Sequence, residues 1–297
     1  MVTEYNYHTN IMGCDFDMTF ITDSEEEADR CFTKAVAIAD LYEKKFSRFD
    51  KNSELFQLNK YKTLVVSQIF LDVFFIAKEL YIKTQKKFNP LLQVSKIGYN
   101  KSFNKLNKNQ ICNFDCKSYN IDLEKIVVIN NKIILQENQK LDFGGFLKGF
   151  VVQKIVNEIK NDRGSIINIG GDLCVNGLDC NHIPFEIEII NPCDKLKNIK
   201  IPLLDKVLCT SGIYKRTWKY NKKLKHHILD ANYMDSADTD IVSVSVITDN
   251  GAIADTFATL AVTLGSKKSI DFFKLQNVDY VIICKNGDII ISNNIKQ

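Results

Sequence analysis

The sequence predicts an α+β fold with largely antiparallel sheets and packed helices, and three observations carry that prediction. Helical apolar spacings alternate along the chain with runs of β-branched residues. Several of those runs are joined by turns too short to hold a crossover helix, which favours antiparallel over parallel pairing. With 297 residues, 45% hydrophobic and 25% charged, the chain is long enough for one large domain or two packed ones. We read it as a single domain over 1–297 with a surface insertion or long loop near 100–120, where the composition turns rich in Lys and Asn and loses periodicity.

Taken in order, MGCDFDMTFIT from Met12 to Thr22 alternates apolar and polar side chains, as a half-buried strand requires. Ser24 and Glu27 have capping-box spacing, and Ala28, Phe32, Ala35, Ala39, Tyr42 and Phe46 then recur at intervals of four and three. A second helix is expected from Ser67 through Phe70, Phe74, Ala77 and Tyr81 to a stop at Asn89-Pro90, because the residue before proline avoids the helical basin. IVVINNKIIL reads as a hairpin turning at Asn130-Asn131. Residues 146–160 read as a helix, while SIINI, FEIEII and IVSVSVIT read as strands. A short helix from about Gly251 to Leu264, another near Ser269 to Leu275, and a hairpin turning at Asn286-Gly287 complete the chain.

Composition narrows the function classes. Thirty-nine basic against 36 acidic residues leave a net charge of +3, too small and too evenly spread for a nucleic-acid surface. Nine cysteines, with Cys112 and Cys116 the only close pair, have no zinc spacing and read as buried thiols of a reducing compartment. The opening MVTEYNYHTN has no basic or apolar leader region, and no run of about 18 apolar residues offers a transmembrane segment. The expected location is the cytoplasm.

The chemistry concentrates in four glycine clusters: LDFGGFLKG at 141–149, INIGGD at 167–172, TSG at 210–212 and NGAIAD at 250–255. Glycine permits unusual backbone angles and close approach to a ligand, and such loops beside helix starts can cradle phosphates. Asp255 and Thr259 stand four apart, on one face of their helix, which would suit magnesium completed by a backbone carbonyl and phosphate oxygens. Equally, Asp255 can decorate the first turn and Thr259 simply pack. His226 and His227 are two of only four histidines; on a strand they would point to opposite faces, so one at most serves a given site as base or structural group.

In order and spacing these segments resemble the ApbE family, the FAD:protein FMN transferases, from Met12 to Ser292. The opening MGT of the family resembles Met12-Gly13-Cys14, and its FSxF, SE and LN are similar to Phe46-Ser47-Arg48-Phe49, Ser53-Glu54 and Leu58-Asn59. DLGGIAKGYAVD is similar to the stretch from Asp142 to Phe150, NIGGD to Asn168 through Asp172, TSGxYxR to Thr210 through Arg216, HHIxD to His226 through Asp230, and ADAxAT to Ala254 through Thr259. Departures are Cys14 for Thr, Asn89 for Asp in FDP, Leu147 for Ala, and Ala231-Asn232-Tyr233-Met234 for the DPxTG turn, the last being placed to alter acceptor choice or nucleotide affinity.

The resemblance implies an ApbE/T-fold-like α+β architecture and magnesium-dependent transfer of FMN from FAD to a Ser or Thr hydroxyl of an acceptor flavoprotein, releasing AMP. It implies a Mg²⁺ site from Asp255, Thr259 and a main-chain oxygen of Gly145. FAD contacts are implied from Met12, Gly13, Phe49, Asn89, Pro90, Asp142, Lys148, Gly170, Gly171, Thr210, Ser211, Gly212, Ile228 and Leu229. Candidates to remove the acceptor's proton are His227, Asp172 and Asp255. The same site with water as nucleophile would be an FAD pyrophosphatase giving FMN and AMP, and without turnover a flavin-binding protein.

Overall fold

The computed structural model describes residues 2–99, 101, 103, 106, 109–110, 121–159, 163–232 and 234–295. The loop or insertion expected near 100–120, with Cys112 and Cys116, lies largely outside the described residues. In chain order the elements begin with β1 (Thr3–Ile11), β2 (Cys14–Thr22), α1 (Glu25–Phe46), α2 (Glu54–Tyr61), β3 (Thr63–Val65) and α3 (Gln68–Lys83). Then come β4 (Asn109–Gln110), β5 (Val127–Ile129), β6 (Lys132–Ile134), α4 (Leu147–Ile159), β7 (Gly164–Ile169), β8 (Asp172–Gly177), β9 (Phe185–Ile189) and β10 (Ile199–Leu203). The remainder is β11 (Val207–Gly212), β12 (Thr217–Tyr220), β13 (Lys223–His226), β14 (Leu229–Asp230), β15 (Asp235–Ser236), β16 (Ile241–Thr248), α5 (Gly251–Leu264), α6 (Ser266–Gln276), β17 (Asp279–Cys284) and β18 (Ile289–Ile291).

The chain divides into two compact units. The first comprises Met1–Leu41, Phe146–Gly212 and Thr239–Gln297, and the second Tyr42–Gly145 and Ile213–Asp238. The first is built on an eight-stranded sheet in the order β1-β2-β7-β8-β11-β16-β17-β18, every neighbouring pair antiparallel. One face carries α4 and α5, which pack on β7, β8, β11 and β16. Against the opposite side of the strands lies the β9–β10 ribbon, whose Phe185, Ile187, Ile189, Ile199, Ile201 and Leu203 share a core with Leu173, Leu208, Ile247 and Val281. The alternation of these strands is what puts one apolar set toward each layer.

In the second unit β3, β6 and β5 form a small sheet, closed by the expected turn in which Asn130 has φ 51° and Ile129 faces Lys132. Its interior is aromatic. Phe46 and Phe143 meet Phe70 at ring separations of 5.1 and 5.8 Å, and Tyr99 meets Trp218 at 5.3 Å. The buried Trp218 also donates Nε1–H to the carbonyl of Ile97 at 2.7 Å. Among the described residues β4 beside β12 is the one parallel pairing.

Several expectations need correction. The strand expected from Met12 starts at Cys14, because Met12 and Gly13 form the turn that joins it to β1, with φ of 53° and 67°; β1 itself went unread. Ser24 caps α1 by accepting from the Glu27 N–H at 3.2 Å, while the Glu27 carboxylate takes the Thr22 hydroxyl. Ser67 caps α3 as expected, but that helix ends at Lys83 and does not reach Asn89. Thr84 Oγ1 donates back to the Leu80 carbonyl at 2.8 Å, and Gln85 and Lys86 turn left-handed at φ 53° and 67°. Of the described cysteines, Cys174, Cys209 and Cys284 are buried, but Cys14, Cys31 and Cys180 are half-buried and Cys193 is exposed. His226 ends β13 and His227 lies just beyond it, so the two do not share a strand as expected.

Candidate active site

The sharpest local construction in the first unit is the crossing of α4 and α5, where two helix backbones meet at glycine. A Cβ on Gly149 would overlap the carbonyl oxygen of Gly251 and lie 2.8 Å from both Asp255 Cβ and Cys209 Sγ. A Cβ on Gly251 would in turn overlap the carbonyl of Gly149. Glycine is required here by space and not by φ. Gln153 stitches the crossing, donating to the Asp249 carbonyl at 2.6 Å and accepting from the Gly251 N–H at 2.8 Å. Asn250 caps α5 through the Ile253 N–H at 3.0 Å.

Two carboxylates meet consecutive residues of α4, Asp255 from α5 across this contact and Asp172 from the start of β8. Gly149 donates its N–H to Asp255 Oδ2 at 3.2 Å, and Asp255 is only 3% exposed. Lys148 reaches the other way, its ammonium paired with Asp172 Oδ2. The carboxylate of Asp172 has no exposed surface, and its Oδ1 accepts from the Thr210 N–H at 3.0 Å. The Thr210 hydroxyl lies 2.8 Å from Ser245 Oγ, and Ser211 Oγ lies 3.2 Å from Thr259 Oγ1, one turn beyond Asp255. Cys209, fully buried among these groups, has its thiol pKa pushed well up by desolvation and by the Asp255 charge, with Lys148 opposing. It is therefore an inert thiol.

Asp172 follows a turn in which Gly170 and Gly171 have φ of 65° and 105°. At Gly171 a Cβ would meet nothing within 4 Å, so the left-handed backbone alone selects glycine. At Gly170 a Cβ would come within 2.9 Å of Cys14. Asn168 fixes the turn, accepting from the Gly171 N–H at 2.9 Å and donating to Asp17 at 3.2 Å.

The second unit holds the remaining expected residues. Asp142 pairs with Arg48 and accepts from the Gly144 N–H at 2.9 Å. The Arg48 guanidinium sits 4.9 Å from the Phe49 ring and 4.6 Å from that of Tyr99. Asn89 donates to the Ile121 carbonyl at 2.7 Å and accepts from the Leu91 N–H at 2.9 Å, so its amide shapes the turn around Pro90. The Pro90 carbonyl accepts from the Asp142 N–H at 2.8 Å. Ile228 and Leu229 are buried, His227 is half-buried, and Gly145 belongs to this unit. The structure thus gathers Lys148, Gly170, Gly171, Asp172, Thr210, Ser211, Asp255 and Thr259 in the first unit, and Phe49, Asn89, Pro90 and Asp142 in the second.

Sequence reasoning did not single out Gly149, Gln153, Asn168, Ser245 or Arg48. Asn168, Arg48 and Gly149 lie inside motifs that were recognised, and Gly149 and Gly251 inside two of the glycine clusters, so a signal existed for the residues; that Gly149 meets Gly251 is tertiary and left none. Among the described residues no three His, Cys, Asp or Glu side chains gather as a metal centre. A divalent ion here would need hydroxyl and main-chain oxygens beside Asp255, the oxygen-rich set that magnesium favours and that the Thr259 hydroxyl fits.

The profile of the ApbE family matches residues 12–282. A protein named FAD:protein FMN transferase from Klebsiella pneumoniae (strain 342) is 26% identical over 163 residues, 53% of this chain and 50% of that protein. One of the same name from Buchnera aphidicola subsp. Schizaphis graminum is 25% identical over 260 residues, 83% and 76% of the two chains. In the matches to the Klebsiella and Treponema pallidum relatives the chain spans half of the relative's length or less, 50% and 41%. The apo form of the flavinyl transferase ApbE of Pseudomonas stutzeri superposes with a TM-score of 0.83 at 14% identity, covering 98% of this chain and 95% of that one. The apbe protein of Thermotoga maritima gives 0.83 at 18% identity, covering 98% and 97%. These two likenesses show the α+β fold.

Proposed function

The chain belongs to the ApbE family, and from that premise we propose that it transfers the FMN half of FAD to a Ser or Thr hydroxyl of an acceptor protein, with magnesium, and releases AMP. The observation that carries the reading is the pair of buried carboxylates held by consecutive residues of α4, Asp172 on the Lys148 ammonium and Asp255 on the Gly149 N–H. When ionised, Asp172, Asp255 and Lys148 sum to −1 − 1 + 1 = −1, so an anionic diphosphate brought beside them needs a further cation. Magnesium held by the Asp255 carboxylate and the Thr259 hydroxyl would supply that charge and act as a Lewis acid; a main-chain oxygen of Gly145 is the further ligand the family resemblance implies.

In the reaction a bond forms between the acceptor oxygen and the FMN phosphorus, and the bond from that phosphorus to the bridging oxygen breaks. AMP leaves with that oxygen and its electron pair, and the acceptor's proton must go to a base. Asp172 has both oxygens engaged, and we assign it to holding Lys148 and the Thr210 main chain. Asp255 is assigned to the metal, which leaves His227 as the proposed proton acceptor. Lys148 offsets charge on the diphosphate, and the Gly170-Gly171 and Thr210–Gly212 main chains are proposed to meet phosphate. In the second unit the exposed Phe49 ring, ordered by Arg48, is proposed as a flat wall for flavin, with Asp142 and the Asn89-Pro90 turn setting the loops around it. Ile228 and Leu229, being buried, would contribute through their main chain; Met12 and Gly13 would contribute through their left-handed turn.

The test is to incubate the protein with FAD, magnesium and a candidate acceptor flavoprotein and weigh the products. An FMN-sized mass increase on the acceptor with equimolar AMP is expected. Free FMN with an unlabelled acceptor would make the protein a pyrophosphatase, and FAD left intact would remove the catalytic reading. Asp255→Ala should abolish transfer, and magnesium titrated without FAD should no longer bind that variant.

A further inference from the structure

The near balance of charge over the whole chain does not hold locally. From Ile213 to Leu229 the sequence IYKRTWKYNKKLKHHIL contains Lys215, Arg216, Lys219, Lys222, Lys223 and Lys225, two histidines and no carboxylate, in a chain whose net charge is +3. This stretch folds as the antiparallel β12–β13 hairpin, with Lys219 opposite Leu224 and Tyr220 opposite Lys223. One face is anchored: Trp218 and Tyr220 are buried in a cluster with Ile97, Tyr99 and Leu229. By register the anchored face also carries Lys223 and Lys225, the other face carries Lys219 and Leu224, and Lys222 stands at the tip; Lys219, Lys222, Lys223 and Leu224 are exposed.

Not all of these cations are free. Lys225 pairs with Asp235, and Lys215 lies 5.9 Å from the Tyr214 ring. Among the described residues no carboxylate forms an ion pair with Lys219, Lys222 or Lys223. The tip adds an independent observation. Asn221 and Lys222 have φ of 49° and 64°, the two left-handed positions of a turn whose second place favours glycine. A lysine stands there in a backbone basin that L side chains avoid, as Lys62 and Lys86 also do, so glycine at 222 would relieve the turn and separate its cost from the use of the charge.

Resting on the FMN-transfer reading above, we propose that this hairpin is the docking surface for an acidic segment of the acceptor polypeptide. Charge decides the partner's chemistry: three ammonium groups with no ion-pair partner among the described residues, clustered around one hairpin tip, steer and hold a run of Asp and Glu. A lipid surface fits less well, because an interfacial element buries a broad apolar face and the exposed large apolar side chain of this hairpin is Leu224 alone. The hairpin is also flanked in the chain by the two motifs at 210–212 and 226–230.

The experiment uses the whole chain with FAD and magnesium, and two fluorescein-labelled peptides that carry one threonine among either Asp and Glu or Lys residues. Anisotropy should show binding of the acidic peptide alone, weakening by about tenfold as salt rises from dilute buffer to well above physiological strength. K219E/K222E/K223E should weaken it by about tenfold or more. K222G should weaken it by about threefold while raising the denaturant midpoint, since glycine relieves the turn; a purely structural lysine would show the second effect without the first. Equal affinity for both peptides, unchanged affinity in K219E/K222E/K223E, or uptake by phosphatidylglycerol vesicles without peptide binding would overturn the proposal. Mass spectra of the same samples separate the two readings. Charge-dependent binding without FMN addition strikes the transferase reading, whereas FMN addition indifferent to salt and to these substitutions strikes the hairpin.

Discussion

Two ion pairs, one in each unit, show two ways of using the same chemistry. In the first unit Lys148 meets Asp172, whose carboxylate is fully buried, and a second oxygen of that carboxylate is bound by the Thr210 N–H. In the second unit Arg48 meets Asp142 with both side chains partly exposed, 25% and 17%, and the guanidinium also faces two aromatic rings. The lysine is a compact charge whose removal strands an anion in a medium that cannot solvate it. The arginine is a planar group whose charge water partly screens and whose rings share the task of ordering it. The first pair should therefore be intolerant of any change, and the second graded.

The largest effect is expected from Lys148→Met, which leaves Asp172 buried without its counter-charge at a stability loss of about 4 kcal/mol, read from the urea midpoint. A double variant, Lys148→Met with Asp172→Leu, should recover much of that loss while remaining inactive; no recovery would show that the pair is not the source of the penalty. Next comes Gly149→Ala, where a single methyl collides with Gly251 and crowds Asp255. About 3 kcal/mol of destabilisation is expected from such overpacking, against a smaller loss for Gly287→Ala, where φ is 90° but no atom lies within 4 Å. Equal losses at the two glycines would mean that backbone angle, not the helix crossing, sets the cost.

What the sequence revealed follows from which interactions are local. The span of α5 was legible because Asn250, the apolar run and Gly265 are all near neighbours, and with it the one-turn relation of Asp255 and Thr259. The Asn130 and Gly287 turns were legible for the same reason. β1 does alternate, with Tyr5, Tyr7 and Thr9 half-buried and Ile11 buried on one face and Glu4, Asn6, His8 and Asn10 exposed on the other, but its inward face is carried by Tyr and Thr, so the apolar signal was too faint to single it out. The end of α3 was misjudged because the decisive act is the Thr84 hydroxyl bonding back into its own helix, with the Phe88 N–H donating to that same oxygen. The site was legible as a set of motifs and not as a geometry: nothing near Lys148 in sequence announces that its partner is Asp172, or that Gly149 must lie on Gly251.

A smaller effect tests the graded side of the comparison. Arg48→Lys keeps a cation for Asp142 but gives up the planar contact with Phe49 and Tyr99, for a stability loss of about 1 kcal/mol. If Phe49 walls the flavin, the KM for FAD should rise more than kcat falls. A fall in kcat alone would place Arg48 with the reacting groups and dissolve the contrast with Lys148.

The smallest effect concerns a third pair, on the exposed face of β1 and β2. His8 Nδ1 lies 2.7 Å from Asp17 Oδ1, and Asp17 also receives the Asn168 amide that fixes the Gly170-Gly171 turn. The hydrogen bond to Asp17 raises the His8 pKa above its ordinary value, desolvation opposes it, and the charges of Asp17 and Asp15 add to the rise. Because the folded value is the higher one, the stabilisation is fully present below the ordinary imidazole pKa of about 6.5 and is lost as pH climbs through the raised value. Histidine proton shifts should follow that raised midpoint in the native protein and fall back toward the ordinary one in Asp17→Asn. Since the pair is exposed, the urea midpoint should hardly respond. A titration identical in the two proteins would mean that the imidazole does not engage Asp17 in solution, and that the turn before Asp172 is held by Asn168 without help from β1.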